Sequence, residues 1–178
     1  MAAASLTSCG NNSKSTAATD EQVAQWNVDS VLLNAPGLID REVTFEGVCS
    51  HACSHGATKI FLMGSDDTQS IRVEAAELGS FDTKCVNSLV NVHGILREQR
   101  IDEAYLQEWE QMLKEQAHGE NAEVGCESER AARGESANTT ILDQIADYRA
   151  QIARRDSIEG KPYLSFYYVD ALSYDIKE

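Results

Sequence analysis

Four short segments between residues 42 and 99 constrain the fold of this chain most strongly, because each has the residue pattern of a β-strand. In the first of them, Val43, Phe45, Gly47 and Cys49 alternate with Glu42, Thr44 and Glu46, which is typical of a strand with one buried face. The other three segments read KIFLMG, SIRVEA and SLVNVHGILRE. The SDDTQ segment between the second and third has turn composition, so these two strands are predicted to form a hairpin.

Helical patterns come before and after these strands. The segment EQVAQWNVDSVLLN predicts a short helix capped by Asp20 and ended by Pro36. The segment DEAYLQEWEQMLKEQ has one apolar stripe and Asp102 as its N-cap, and NTTILDQIADYRAQIARR has another apolar stripe. A polar segment between them holds Cys126; we expect Cys85 to be either a small buried hydrophobic residue or the disulfide partner of Cys126. The chain closes with KPYLSFYYVDALSYDI, which predicts a long aromatic strand.

The order of these elements predicts a mainly β fold with an α insertion. We expect a five-stranded OB-like Greek-key barrel with a helical hairpin, the insertion 102–155, before the last strand. Residues 40–112 and 161–176 resemble periplasmic OB-fold domains of bacterial lipoproteins. The resemblance is carried by the stretches VTFEGVCSHACSHGATKIFLMG, SIRVEAA and LVNVHGILRE. It implies a barrel and a periplasmic location, and no particular activity; the helical hairpin departs from the simplest OB plan.

The first residues of the chain predict where in the cell the protein is located. LTSC, at positions 6–9, follows small and apolar residues and resembles the lipobox of bacterial lipoproteins, in which the cysteine is lipidated. We expect a signal-peptide remnant over 1–9, a flexible tether over 10–22 and the OB-fold domain over 23–178. The resemblance implies an outer-membrane lipoprotein that faces the periplasm, held to the membrane by a lipid anchor on Cys9. The stretch lacks the basic residues that open a complete signal.

The charge of the chain bears on its partners. Asp and Glu total 29 against 15 Lys and Arg, which gives a formal net charge of -14. Sequence-independent affinity for nucleic acid comes from Lys and Arg, so nucleic acid is not expected as a partner. The chain contains no Gly-rich phosphate loop, no G-x-S-x-G and no H-E-x-x-H motif. The sequence therefore favours a binding or scaffold module, with an envelope protein as a candidate partner, over an enzyme, and it predicts no catalytic residue.

The segment GVCSHACSHG, residues 47–56, places Cys49, His51, Cys53 and His55 at every second position. A straight strand would spread these side chains over about 20 Å, so four metal ligands require the chain to bend. In such a bend the thiolates and imidazoles suit a zinc or copper ion, and we predict a metal site formed by all four. Two alternatives stay open: a structural Cys49–Cys53 disulfide in a partner- or ligand-binding module, and a weak dithiol redox role.

Overall fold

The computed structural model of the chain describes residues 26–54, 56–66, 69–116 and 140–177. In chain order the helices and strands are β1 (Trp26–Asn27), α1 (Val28–Leu38), β2 (Glu42–Ala52), β3 (Lys59–Met63), β4 (Ser70–Glu74), β5 (Leu89–Asp102), α2 (Glu103–Gln116), α3 (Ile141–Glu159) and β6 (Tyr163–Lys177). Two short 3-10 turns, Ala76–Leu78 and Thr83–Cys85, connect β4 to β5. Within these ranges no helix has the length and apolar character needed to cross a membrane.

Strands β2 to β6 close into a barrel. The order around it is β2-β3-β4-β6-β5 and back to β2, and the short β1 lies beside β2. The β4–β6 pair is parallel, whereas the other four barrel pairs are antiparallel. The last strand thus enters between β4 and β5, which is a Greek-key arrangement. The predicted mainly β, OB-like five-stranded barrel is therefore confirmed.

The barrel interior is filled by the inward-facing side chains of alternating strand positions, as the period of two requires. Its fully buried members include Phe45, Ile60, Leu62, Ile71, Val73, Val90, Val92, Leu96 and Val169. Helix α1 covers one side of the barrel through Val28. A Cβ atom at Gly47 would lie 2.7 Å from Cγ2 of Val28, so the absence of a side chain at Gly47 lets α1 approach β2 closely.

Strands β5 and β6 continue past the barrel as a two-stranded ribbon that carries the helical insertion. On the ribbon, Ile101 pairs with Leu164, and both contact a second buried cluster formed with α2 and α3. The Oδ1 atom of Asp102 accepts a hydrogen bond of 2.9 Å from the Tyr105 N–H, which confirms the predicted cap of α2. The helices therefore fold onto the ribbon before the last strand, as expected.

An arginine joins the two helices of the insertion. The Nη1 atom of Arg149 lies 2.6 Å from Oε1 of Glu110, and its Nη2 atom lies 2.8 Å from Oε1 of Glu103. These hydrogen bonds lower the pKa of both carboxyl groups. Arg149 on α3 therefore binds two carboxylates of α2 that lie about two helical turns apart.

Helix α1 differs from the prediction at both ends. It begins after Asn27, whose side-chain Oδ1 accepts a hydrogen bond of 2.9 Å from the Ser30 N–H. Trp26 and Asn27 pair with β2, so the residues that were expected to be helical are extended there. The helix continues through Pro36 to its end at Leu38. Asp20, the expected cap, lies outside the described residues.

Candidate functional site

Three of the four predicted ligands are described: Cys49 and His51 lie in β2, and Cys53 directly follows it. Cys49 pairs with Leu62 on the inner face of the sheet. The register then shifts between Cys49 and His51, and His51 pairs with Phe61 on the outer face. Cys49 is fully buried, whereas His51 is partly exposed. The β-bulge between them therefore places one predicted ligand inside the barrel and the next one outside it.

The prediction of a zinc- or copper-binding protein is wrong. Among the described residues there is no group of three or more His, Cys, Asp or Glu side chains that could hold a metal ion. Cys53 is buried just after β2, where its N–H donates to the Lys59 carbonyl at 2.8 Å, and His55 lies outside the described ranges. Cys49 and Cys53 are both free thiols, so the alternative disulfide between them is also absent.

A row of side chains that crosses the outer face of the barrel was missed by the sequence analysis. The strand register places His51 beside Phe61, Phe61 beside Arg72, Arg72 beside Tyr168, and Tyr168 beside Arg97. We call these five residues the outer row. Directly paired positions share one face of a sheet. The outer row therefore contributes one outward-facing side chain from each of the five barrel strands, and it winds around the barrel.

The middle of the outer row is tightly packed. The guanidinium carbon of Arg72 lies 4.8 Å from the centre of the Tyr168 ring, within the range of a cation–π contact. The Nε atom of Arg72 is also 3.1 Å from Oε1 of Glu74. Phe61 is only 3% exposed although it faces outward, and its ring centroid lies 6.2 Å from that of His51. These contacts hold Arg72 and Tyr168 in fixed positions, whereas Phe61 is almost completely covered.

Carboxylates balance the positive charge of the outer row. The Nε atom of Arg97 lies 2.9 Å from Oδ2 of Asp170, and its Nη1 atom lies 2.6 Å from Oδ1 of Asp40. Hydrogen bonds to these two groups, that to Asp170 foremost, raise the pKa of Arg97. Burial raises the pKa of Tyr168, which therefore stays a neutral phenol at neutral pH. The surface offers planar contacts and hydrogen bonds without an excess of positive charge.

Two chain segments flank the outer row. The turn after β2 lies on one side, where Lys59 pairs with Glu74 and Glu74 pairs with Asp170. The helical insertion lies on the other side, because Phe166 is two positions before Tyr168 on β6 and contacts the second buried cluster. OB folds bind ligands on the face of their second and third strands, between the first and last connecting loops. Here β3 and β4 have those positions, so Phe61 and Arg72 of the outer row lie on the equivalent surface.

Two residues of the outer row, Phe61 and Arg72, could be recognised from the local sequence. The run Ile60-Phe61-Leu62 is apolar at three successive positions, and a strand of that kind is buried on both faces. Arg72 stands alone between Ile71 and Val73, which marks an outward-facing cation. Nothing in the local sequence places Tyr168 beside Arg72, since that contact depends on the parallel pairing of β4 with β6.

Comparison with protein-family models, with curated protein sequences and with solved structures gives no match to this chain. The class of the protein therefore follows from its own architecture. It is a closed, OB-like five-stranded barrel with a helical hairpin before the last strand, and the outer row is its candidate binding surface.

Proposed function

We propose that this protein is a non-catalytic binding module that docks a protein partner on the outer row. The observation that carries the proposal is the stack of Arg72 on Tyr168 at the centre of that row. Arginine and tyrosine are enriched among the residues that contribute most to protein–protein binding. The stack and the contact with Glu74 hold Arg72 in place before binding, so less side-chain entropy is lost when a partner arrives.

The charge distribution favours a partner with a basic surface. The whole chain has a formal net charge of -14, which attracts cationic proteins over long distances and repels phosphate backbones. At the outer row itself, Arg72 and Arg97 are matched by nearby carboxylates. A basic partner can therefore approach the row without local repulsion. The row has no excess of positive charge to bind the phosphates of a single-stranded nucleic acid.

Site-specific photo-crosslinking in the cells that make the protein tests this proposal. A benzophenone amino acid replaces His51 at the end of the outer row, and a matched control carries it at Leu33, which is 82% exposed on α1. We expect one defined adduct from position 51 that is absent from position 33. Its partner should have a basic surface, and its yield should fall as salt is raised because salt screens steering between charges.

Substitutions within the row separate a specific adduct from a chance contact. Arg72→Ala and Tyr168→Ala should each reduce the position-51 adduct at least several-fold, whereas Tyr168→Phe retains the ring and should preserve it. An adduct that is equally strong in all three variants would contradict the proposal. Fluorescence anisotropy with a labelled single-stranded oligonucleotide should show no binding; binding that is lost in Arg72→Ala would assign the row to nucleic acid instead.

We also propose that the protein is an outer-membrane lipoprotein that faces the periplasm and is acylated at Cys9. The support is the LTSC stretch alone, since Cys9 lies outside the described residues. Mass spectrometry of the N-terminal peptide from native membranes should find a lipidated Cys9 as the first residue. A Cys9→Ser variant should leave the membrane fraction, and an unmodified Met1 on wild-type protein in a membrane-free extract would contradict the proposal.

A further inference from the structure

Two buried cysteines meet where the turn before β5 contacts β2. Cys49 forms an isolated parallel bridge with Val86, the residue after Cys85. The Cys49 N–H donates to the Ser88 carbonyl at 2.9 Å, and the Asn87 N–H donates to the Cys49 carbonyl at 2.8 Å. Cys49 and Cys85 are both 0% exposed and belong to the same buried cluster. Backbone hydrogen bonds therefore hold the two cysteines at neighbouring positions in the barrel core.

The bridge defines an approximate separation of the two cysteines. Bridged Cα atoms lie about 4.8 Å apart, and consecutive Cα atoms lie about 3.8 Å apart along a nearly perpendicular direction. Together these steps place the Cα atoms of Cys49 and Cys85 about 6 Å apart, which is inside the roughly 4.4–6.8 Å range of disulfide-linked residues. The separation of the two backbone positions is therefore within the range of a disulfide.

The ionisation of the two thiols is consistent with this proximity. Burial raises the pKa of Cys85 to about 11, and the neighbouring thiol of Cys49 contributes to the increase. Burial also raises the pKa of Cys49. Both groups are therefore protonated at neutral pH, and a thiol must be deprotonated to attack a disulfide. Reaction of the folded protein should accordingly be slow and should require local opening of the turn.

We propose that Cys49 and Cys85 form an intramolecular disulfide by exchange with a disulfide oxidant such as glutathione disulfide. This pair is different from the Cys49–Cys53 pair considered above. One cysteine loses its proton and attacks a sulfur of the oxidant, which releases one glutathione thiolate and leaves a mixed disulfide. The other cysteine then displaces the second glutathione. Two cysteine thiols lose two protons and two electrons, and the oxidant becomes two thiols.

The disulfide would form a covalent cross-link between the turn before β5 and β2. The inference is independent of the proposed partner, because neither cysteine belongs to the outer row. A cross-link between residues distant in sequence restricts the unfolded chain, and we expect the folded-to-unfolded ratio to rise on the order of 100-fold on oxidation.

The experiment uses the full chain with Cys53→Ser and Cys126→Ser, so that Cys49 and Cys85 are the remaining cysteines apart from Cys9. Reduced protein is treated with glutathione disulfide in its folded state and, in a second arm, while it refolds from urea. Both samples are then alkylated in denaturant and digested with trypsin. A matched control carries Cys85→Ser in addition.

Trypsin separates the two cysteines into peptide 42–59, which contains Cys49, and peptide 85–97, which contains Cys85. We expect a species with the summed mass of the two peptides less two hydrogens, which disappears on reduction and is missing from the control. Folded protein in which both cysteines are still alkylated as free thiols in both arms would overturn the proposal.

A second measurement applies if the cysteine-depleted variant does not fold. Wild-type protein is oxidised in the same two arms, and fragmentation of the linked peptides distinguishes Cys49 from Cys53. A Cys49–Cys85 link, together with a higher urea midpoint for the oxidised form, supports the proposal. A folded protein whose Cys85 is linked to Cys53 or Cys126, or is still a free thiol, refutes it.

Discussion

The guanidinium of Arg72 stacks on the ring of Tyr168 at 4.8 Å, and the parallel pairing of β4 with β6 puts the two residues directly side by side. Arg72 belongs to the third strand of the barrel and Tyr168 to the last one. Their contact can form only when β6 has entered between β4 and β5. The stack at the centre of the outer row therefore forms only in the closed barrel, and it stabilises the closed barrel in turn.

A double-mutant cycle should detect this coupling. We expect Arg72→Lys to lower the free energy of unfolding by about 1 kcal/mol, because an ammonium loses the planar stack, and Tyr168→Ala to lower it further. The interaction energy between the two positions should be about 0.5–1.5 kcal/mol in urea titrations. Tyr168→Phe, which retains the ring, should preserve most of the coupling. Strictly additive effects would show that the two side chains do not stabilise each other.

Most of the strands and helices could be predicted from the sequence because each has a strong local pattern. The alternation in β2, β4 and β5 reports burial of one face, which is a property of neighbouring residues alone. Asp102 was identified as the cap of α2 for the same reason, since capping acts over three residues. The barrel itself followed from the order of these elements.

The candidate site was not predictable as a whole, because it depends on pairings between distant segments. The metal prediction required the chain to bend within the Cys/His segment, but β2 continues to Ala52, and a β-bulge places Cys49 on the inner face and His51 on the outer face. A bulge leaves no clear mark in the sequence. The outer row likewise exists only because β6 pairs with β4 in one particular register, which brings Tyr168 to Arg72.

A glycine at the bulge in β5 should be essential for barrel closure. A Cβ atom at Gly94 would collide with the Asp170 carbonyl oxygen and would lie 2.6 Å from Cγ1 of Val169. Because one of these atoms belongs to the backbone of the paired strand, the collision cannot be relieved by a side-chain rotation. We expect Gly94→Ala to lower the free energy of unfolding by about 2 kcal/mol or more, measured by urea denaturation.

Gly37 provides the matched control for that substitution. It lies in the last turn of α1, and a Cβ atom there would have no neighbour within 4 Å. We expect Gly37→Ala to raise the free energy of unfolding by about 0.5–1 kcal/mol, because alanine favours the helix and restricts the unfolded chain. Equal effects of the two substitutions would show that the close approach at Gly94 does not limit packing.

The contact of α3 with α2 should weaken in acid. Hydrogen bonds from Arg149 lower the pKa of Glu103 and Glu110 in the folded protein. The unfolded chain then binds more protons than the folded one as the pH falls below the ordinary Glu value of about 4.3, so this stabilisation is present above that pH and is lost below it. Hydrogen exchange of the α2 and α3 amides should therefore accelerate in acid relative to the barrel amides.

Two variants determine whether Arg149 causes that acid sensitivity. Arg149→Gln removes the cation and should make amide protection in α2 and α3 weaker at neutral pH and less dependent on acid. Arg154→Gln alters an exposed arginine on the same helix and should leave the pH dependence unchanged. If both variants retain the wild-type pH dependence of amide protection, the ion pairs of Arg149 do not cause the acid sensitivity.

The buried thiol of Cys85 should make the reduced protein sensitive to alkali. Its pKa is raised to about 11 in the folded state, whereas an unfolded cysteine titrates near 8.5. Between these values the folded protein retains a proton that the unfolded chain has released, so stability is fully present below about pH 8.5 and is lost as the pH rises toward 11. The free energy of unfolding of the reduced protein, measured by urea titration, should decline across this window.

Cys85→Ala should flatten the decline relative to wild type, because lysines and tyrosines titrate equally in both proteins. An identical slope in the two proteins would mean that Cys85 ionises in the folded core as readily as in the unfolded chain.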